Sequence, residues 1–474
     1  MKKIKKYIFP SVIASVLFLN GCTNALDLEP QNSLPEESVV NETYARQLIN
    51  GVYEQMQVLG YYGVDFPVVS EVIGDNVKIT SDNSNRYLNE FRYLWNPTLS
   101  SQPNTWTAIY KTIYAANVVI NELPDTEDII PYKGEAHFLR ALAHLDGARR
   151  FARPYTNIAT LPSEANSGIP VVLETVKDPA NFKPSRNTLD ETYEAIINDL
   201  KAAQELAPDM ASGSDAVYRG SKDAATALLC RVYLYMGNYA ECIAEADKII
   251  DKYPLWNVNN LATAYSDNNT SEEIFSLKFK ASEGRGADNF GQMYNNPNIG
   301  YGDIRPTDAF LALLEEDDAR KVFFENVDDE YFLTKFAGNT VEGANGLVDI
   351  KILRIAEVYL NRAEAYAELN GDVASALSDV NALRTNRGLE AISSIDLDAL
   401  NEEIKLQRKL EFIGEGLRGT DLFRKNETRV IEDSDALSSE DISPDNFRVA
   451  FSIPISETDA NPNIIQNPQY PISK

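Results

Sequence analysis

The sequence predicts a mainly α fold: a scaffold of paired helices carrying a second lobe of long irregular loops and few short strands. Three observations lead there. Apolar residues recur at the helical period through much of the chain. Two segments read as helix, glycine turn, helix. Between the helical blocks run stretches rich in Gly, Asn, Pro, Ser and aromatic residues, too long to be plain connectors.

Taken in order, residues 41–58 place Tyr44, Leu48, Val52, Tyr53 and Met56 on one helical face. Residues 104–121 do the same with Trp106, Ile109, Ile113 and Val118, and residues 133–151 with Phe138, Leu139, Leu142 and Leu145 before Pro154. A helix over 188–206 opens on Thr188 as cap and closes before Pro208. From Ala224 to Pro254 two helices join through Gly237-Asn238, and from Ile352 to Leu383 two more join through Gly371-Asp372. These units resemble tetratricopeptide repeats, in which glycine permits the tight turn and small residues let helices approach. Four pairs are expected: 41–58 with 104–121, 133–151 with 188–206, 221–251, and 352–385. They should stack into one scaffold, because a lone pair cannot bury its own apolar face. The scaffold then covers about 41–58, 104–151, 188–251 and 352–424, and the loop lobe about 59–103, 152–187, 255–350 and 425–474. Short strands are expected at Glu273–Phe279 and Ala450–Ile453, inside the loop lobe.

Charge and the N-terminus bound the function. With 71 acidic against 44 basic residues the formal charge is −27, which repels phosphate backbones and argues against nucleic-acid binding. The chain starts with Lys2, Lys3, Lys5 and Lys6, runs apolar from Tyr7 to Leu19, and reaches Leu19-Asn20-Gly21-Cys22. This is a secretory signal, and its end looks like a bacterial lipobox. Residues 1–21 are then removed, which takes the charge to −31, and Cys22 becomes the lipidated N-terminus of a tether over 22–40. The body is a single unit, 41–474, held to the membrane by lipid. The other cysteines, Cys230 and Cys242, lie about two turns and little more than one turn from Gly237-Asn238 and read as small core residues.

Catalytic chemistry is hard to assemble. Both histidines, His137 and His144, sit on one helix with no H-E-x-x-H pattern, and no G-x-S-x-G turn exists. Gly284-Arg285-Gly286 and Gly414-Glu415-Gly416 lack the strand–helix context that makes glycines bind nucleotides. The acidic clusters Glu315–Asp318, Asp328–Glu330 and Glu432–Asp435 lack the calcium loop's central Gly and terminal Glu, and read as solvated surface. No cofactor, metal or catalytic residue is assigned. Arg354 and Glu357, three apart, read as a weak surface pair.

Three ordered segments resemble the SusD/RagB family of outer-membrane lipoproteins of Bacteroidetes. They are Leu353–Leu389 (LRIAEVYLNRAEAYAELNGDVASALSDVNALRTNRGL), Gln407–Arg424 (QRKLEFIGEGLRGTDLFR), and Ser452–Tyr470 with IPISE and QNPQY. Gln407 and Lys409 stand where the family usually has Glu and Arg, and His137 where Arg is common. The resemblance implies a non-enzymatic lid on a SusC-like TonB-dependent β-barrel, facing the cell exterior, that captures a glycan or a peptide and passes it to the barrel. Two other classes stay open: a surface hydrolase, which needs a carboxylate pair or metal in a cleft, and an assembly scaffold without ligand affinity.

The ligand site is expected among loop aromatics, where rings take sugar C–H faces and amides, carboxylates or guanidinium groups take hydroxyls. The excursion 59–103 offers Tyr61, Tyr62 and Trp95 beside Asp75, Asn76 and Arg86; the excursion 280–305 adds Tyr294 and Tyr301 beside Asn296. Ligand shelves of the family draw on these two excursions, which favours Trp95, Tyr294 and Tyr301 most. Trp106 is assigned to the core.

Overall fold

The structure, a computed structural model, describes residues 40–98, 102–160, 167–209, 216–267, 270–339, 342–437 and 440–470. The expected signal segment and the lipidation residue Cys22 lie outside the described residues. The folded body is Glu42–Lys474.

Its helices are α1 (Glu42–Met56), α2 (Asp65–Val72), α3 (Leu88–Phe91), α4 (Gln102–Glu122), α5 (Ile130–Phe151), α6 (Leu189–Leu206), α7 (Lys222–Met236) and α8 (Tyr239–Asp247). Then follow α9 (Asp308–Leu311), α10 (Ile355–Asn370), α11 (Val373–Asn386), α12 (Leu397–Glu411), α13 (Arg418–Arg424) and α14 (Ile455–Ala460). The long helices stack as nearest neighbours: α1 on α4, α4 on α5, α5 on α6, α6 on α7, α7 on α8, α8 on α10, and α10 on α11 and α12. This is the one-dimensional order of a helical repeat.

Local chemistry fixes the helix ends. Thr188 and Glu191 form a reciprocal capping box at the start of α6, Glu191 N donating to Thr188 Oγ1 (3.1 Å) and Thr188 N to Glu191 Oε2 (2.9 Å). Gly237 ends α7 at φ 77° and Gly371 ends α10 at φ 63°, left-handed positions that a side chain would strain. Cys230 and Cys242 are free, buried thiols whose sulfurs lie 3.5 Å apart, closer than their spacing from the turn suggested.

The described strands form three antiparallel pairs: β1 (Val77–Lys78) with β3 (Arg305–Pro306), β2 (Glu273–Leu277) with β6 (Ile350–Arg354), and β4 (Phe324–Val327) with β5 (Glu330–Leu333). The strand expected at Glu273–Phe279 is β2. The one expected at Ala450–Ile453 is not a strand. Its backbone is met by other groups: Phe451 N donates to the Arg150 carbonyl, Asn467 Nδ2 to the Phe451 carbonyl, and Gln466 brackets Ile453 on both its N–H and C=O. Side-chain amides there replace a partner strand.

One further expectation is corrected. Arg354 and Glu357 are buried, not a surface pair. Arg354 binds Glu272 (2.7 Å), Glu411 (3.1 Å) and Glu415 (2.7 Å), while Glu357 binds Arg231 (2.5 Å). Arg387 joins the same cluster through Glu272 (2.7 Å) and Glu411 (2.8 Å). The junction of β2, β6 and α12 is therefore stitched by charge inside the core.

Candidate functional site

The two excursions do meet. Strand β1 of the first pairs with β3 of the second, with Lys78 opposite Arg305. Just beyond, Ser84 donates to Asp303 through its N–H (3.1 Å) and its hydroxyl (2.8 Å). Arg86 pairs with Asp303 at 3.3 Å and lays its guanidinium 3.4 Å from the ring centroid of Tyr301. The Tyr301 hydroxyl reaches Asp288 (3.3 Å). Tyr87 donates to Asp65 (2.9 Å), whose carboxyl is pushed up to about 6 by burial against the opposing pull of that bond. Arg86 and Tyr301 are half-buried, so this shelf of charge and ring keeps an open side.

Most of the other expected site residues turn inward. Trp95 is 2% exposed, stacked on Phe451 (4.1 Å, 6° between planes) with its Nε1 donating to the Tyr470 hydroxyl (2.7 Å). Tyr294 is fully buried against Phe290 and Phe336. A single π turn at Leu59–Gly63 directs Tyr61 and Tyr62 into the core, where both hydroxyls donate to Asp146 at 2.7 Å. Asn76 is buried beneath Glu71 and the Lys409 carbonyl, and Asn296 is tied to Glu325 (2.7 Å). Asp75 is clamped by Arg418 (2.6 Å) and Lys409 (3.2 Å); burial raises its pKa, but these cations outweigh it and leave it at about 2. None of these seven presents an open face to a ligand, although the Tyr294 hydroxyl and Asn76 Oδ1 are buried without a hydrogen-bond partner among the described residues. Their packing partners are remote in sequence, which explains why loop position alone suggested exposure. Trp106, assigned to the core, is buried.

Beside the shelf opens a cleft of about 810 Å³ between α1 and the segment 277–285. Such a volume suits an oligomeric ligand. Asn50 and Glu54 of α1 line one side, with the rings of Tyr53, Tyr218 and Phe279 at its base. Basic groups line it too. Arg219 lies 4.9 Å over Tyr53 and pairs with Glu135 (2.9 Å), and Lys278 lies 4.6 Å over Tyr218. Lys280 is exposed. Arg285 links cleft and shelf: it lines the cleft, donates to the Gln57 carbonyl, and feels Asp65 and Asp288 of the shelf, whose pull opposes the fall that burial imposes on its pKa. Lys280, Tyr218 and the α1 residues were not expected at a site. The sequence shows Arg285 only inside a glycine pattern, and no local signal marks these residues as neighbours.

A second groove of about 430 Å³ runs along α4 and α14, with Tyr114 (47% exposed) and Phe182 (40% exposed) on its rim.

Among the described residues, both histidines are engaged in the fold. His144 is buried, accepts from Val172 N (3.4 Å), and is held down at about 4 by that burial; His137 faces Asp199 (2.8 Å). Among the described residues, Asp308, Asp433 and Asp435 are spaced to hold a metal ion. The Lys78 ammonium already stands 3.2, 3.0 and 2.8 Å from them, doing the neutralising that a cation would do.

Comparison with known proteins matches this architecture. Residues 25–234 match a family model described as starch-binding and associating with the outer membrane, and residues 218–470 match the SusD family model. A SusD-like protein of Formosa agariphila is 24% identical, over 94% of this chain and 95% of its own length. A SusD superfamily protein of Bacteroides thetaiotaomicron superposes with a TM-score of 0.81 at 26% identity, covering 91% of this chain and 100% of that one. Another, from Bacteroides vulgatus, gives 0.79 at 26% identity over 91% and 100%.

Proposed function

The chain belongs to the SusD family, and from that premise we propose that it is a non-catalytic cell-surface lipoprotein that captures an oligo- or polysaccharide and delivers it to a TonB-dependent outer-membrane transporter. The observation that carries this reading is a shelf, with Tyr301 and Arg86, lying beside a cleft lined by Arg285, three residues before the Asp288 that holds Tyr301. Rings there take the C–H faces of a sugar, and guanidinium, amide and carboxylate groups take its hydroxyls. Neither end needs a reacting group.

Among the described residues, no helix is long and apolar enough to cross a membrane. Attachment is assigned to acyl chains on Cys22, because more than one chain is needed for lasting anchorage. The partner is a SusC-like β-barrel, over whose mouth the loop face closes; ligand can drive closure only by binding the closed state more tightly.

Two measurements test the reading. Calorimetric screening of the purified full-length chain against soluble polysaccharides should find a ligand, and Tyr301→Ala should weaken it. Gentle extraction of membranes should bring down a large β-barrel protein with the chain, and Cys22→Ala should lose that association with the membrane fraction. A chain that binds no glycan and purifies alone would overturn the proposal.

A further inference from the structure

Cys230 on α7 and Cys242 on α8 face each other across the turn at Gly237, with sulfurs 3.5 Å apart and both side chains wholly buried. Helix packing alone does not call for sulfur there. In the pair α10 and α11, Ala376 stands five residues after Gly371, as Cys242 does after Gly237, and it is wholly buried in a cluster with Ala363. The whole chain holds three cysteines, and the proposed lipidation consumes Cys22, so the other two have only each other as partners within the chain. Resting on the reading of the chain as an exported lipoprotein, we infer that Cys230 and Cys242 are joined by a disulfide in the mature protein, a covalent staple between α7 and α8.

Distance, compartment and order of events each favour the bond. A disulfide holds its sulfurs about 2 Å apart, so these two have about 1.5 Å left to close. Exported proteins meet oxidising conditions, under which such bonds form and persist. The two positions are twelve residues apart in sequence, and a loop that short closes early, while the chain is still open. Early closure matters because in the fold the Cys230 contact and burial push the Cys242 thiol well above its ordinary pKa, whereas the thiolate is the nucleophile. The reaction therefore belongs to the chain before α7 and α8 are packed. Its oxidant is a protein disulfide of the exporting compartment. The Cys230 thiolate attacks one sulfur of that disulfide, forming a mixed disulfide and releasing one thiolate. The Cys242 thiolate then attacks the Cys230 sulfur and releases the other. The chain loses two protons and two electrons, and the oxidant leaves as a dithiol. The weak contact of the Cys242 S–H with the Asn361 carbonyl (3.7 Å) is given up, and burial then shields the bond from reductants.

The test takes the full-length protein from membranes prepared without reductant and denatures it in iodoacetamide, which caps every free thiol. It is then reduced, and the thiols released are labelled with N-ethylmaleimide. Peptide mass spectrometry should find maleimide on both Cys230 and Cys242. Iodoacetamide on both, in protein recovered from the outer membrane, would overturn the disulfide and leave the lipoprotein reading standing. Recovery from the cytoplasm with Cys22 unacylated would remove that reading and the inference with it. Cys230→Ala, which copies the alanine of the other helix pair, should leave Cys242 capped by iodoacetamide. Maleimide on Cys242 in that variant would mean a partner outside the chain and would overturn the pairing. The oxidised parent should melt about 3 °C above the same protein after its labels show full reduction, the gain expected from closing so short a loop in a chain of this size. Equal melting temperatures would overturn the staple.

Discussion

The buried junction around Arg354 and the cleft around Arg285 are built from the same residue types and put them to opposite use. At the junction, Arg354 and Arg387 share Glu272 and Glu411, and every guanidinium charge is answered inside the core. At the cleft, Lys278 lies over the ring of Tyr218, Arg219 over that of Tyr53, and Arg285 donates to the Gln57 carbonyl, all at a solvent-facing wall. Burial explains the difference. Inside, a charge must be met by carboxylates, as at the junction, or by a carbonyl, a hydroxyl and rings, as Arg150 is by Phe66, Ser70 and Phe451. At a wet rim water shares that task, and a ligand can replace it. Family-typical arginines and glutamates therefore report the scaffold, and the residues that read the ligand need none of that regularity.

The comparison breaks most visibly at the junction. Arg387→Ala should destabilise the protein by about 3–5 kcal/mol, because Glu272 keeps only Arg354 as a cation and Glu411 only Arg354 and Arg320. Chemical denaturation measures this; a loss under about 1 kcal/mol would mean that water reaches the junction and the charges are not truly interior.

Next in size is Trp95. As a core ring stacked on Phe451 it should cost about 3 kcal/mol when truncated to alanine, with any loss of binding following from unfolding. Unchanged stability with lost glycan affinity would return Trp95 to the ligand site.

Glu71 sharpens the contrast through pH. It is fully buried without a contacting cation, and burial lifts its pKa from an ordinary 4.5 to about 7, opposed by N–H groups of Gly414 and Gly416. The folded state thus holds a proton that the unfolded state has released between those values, so stability falls as pH rises from about 5 to 8. Glu71→Gln should remove that fall and gain on the order of 1–3 kcal/mol at pH 8 while changing little at pH 4.5. Thermal melts across this range decide it, and a variant with the same pH slope as the parent would mean that Glu71 is ionised in the fold.

How much of this was legible follows from the same contrast. Helices, their turns at Gly237 and Gly371, and the cap at Thr188 depend on neighbours within a few residues, and local pattern found them. Aromatic residues in loops were found as well, but not their exposure. Trp95 is covered by Phe451 and Tyr470, and Tyr61 is tied to Asp146, all distant in sequence. Ring content cannot say which rings a remote segment will cover. Tyr301 and Arg86 kept an open side because Asp303 and Asp288 hold them at the rim. Lys280 and Arg285 carried no local signal, since their meaning comes from the α1 wall opposite.

Tyr301→Ala carries the smallest expected effect. It should weaken glycan binding by about tenfold, or 1.4 kcal/mol, with little change in melting temperature, because the ring is only half-buried and its face is shared with Arg86. Calorimetry with a ligand from the screen measures it, and an unaltered affinity would confine the site to the cleft.

The most direct test of the account is a crystal structure of the chain with that ligand bound. Sugar density is expected to run from Tyr301 past Arg285 into the cleft, over the rings of Tyr53 and Tyr218, with the junction at Arg354 unchanged. Density seated instead on Tyr114 and Phe182, in the groove along α4 and α14, would contradict it.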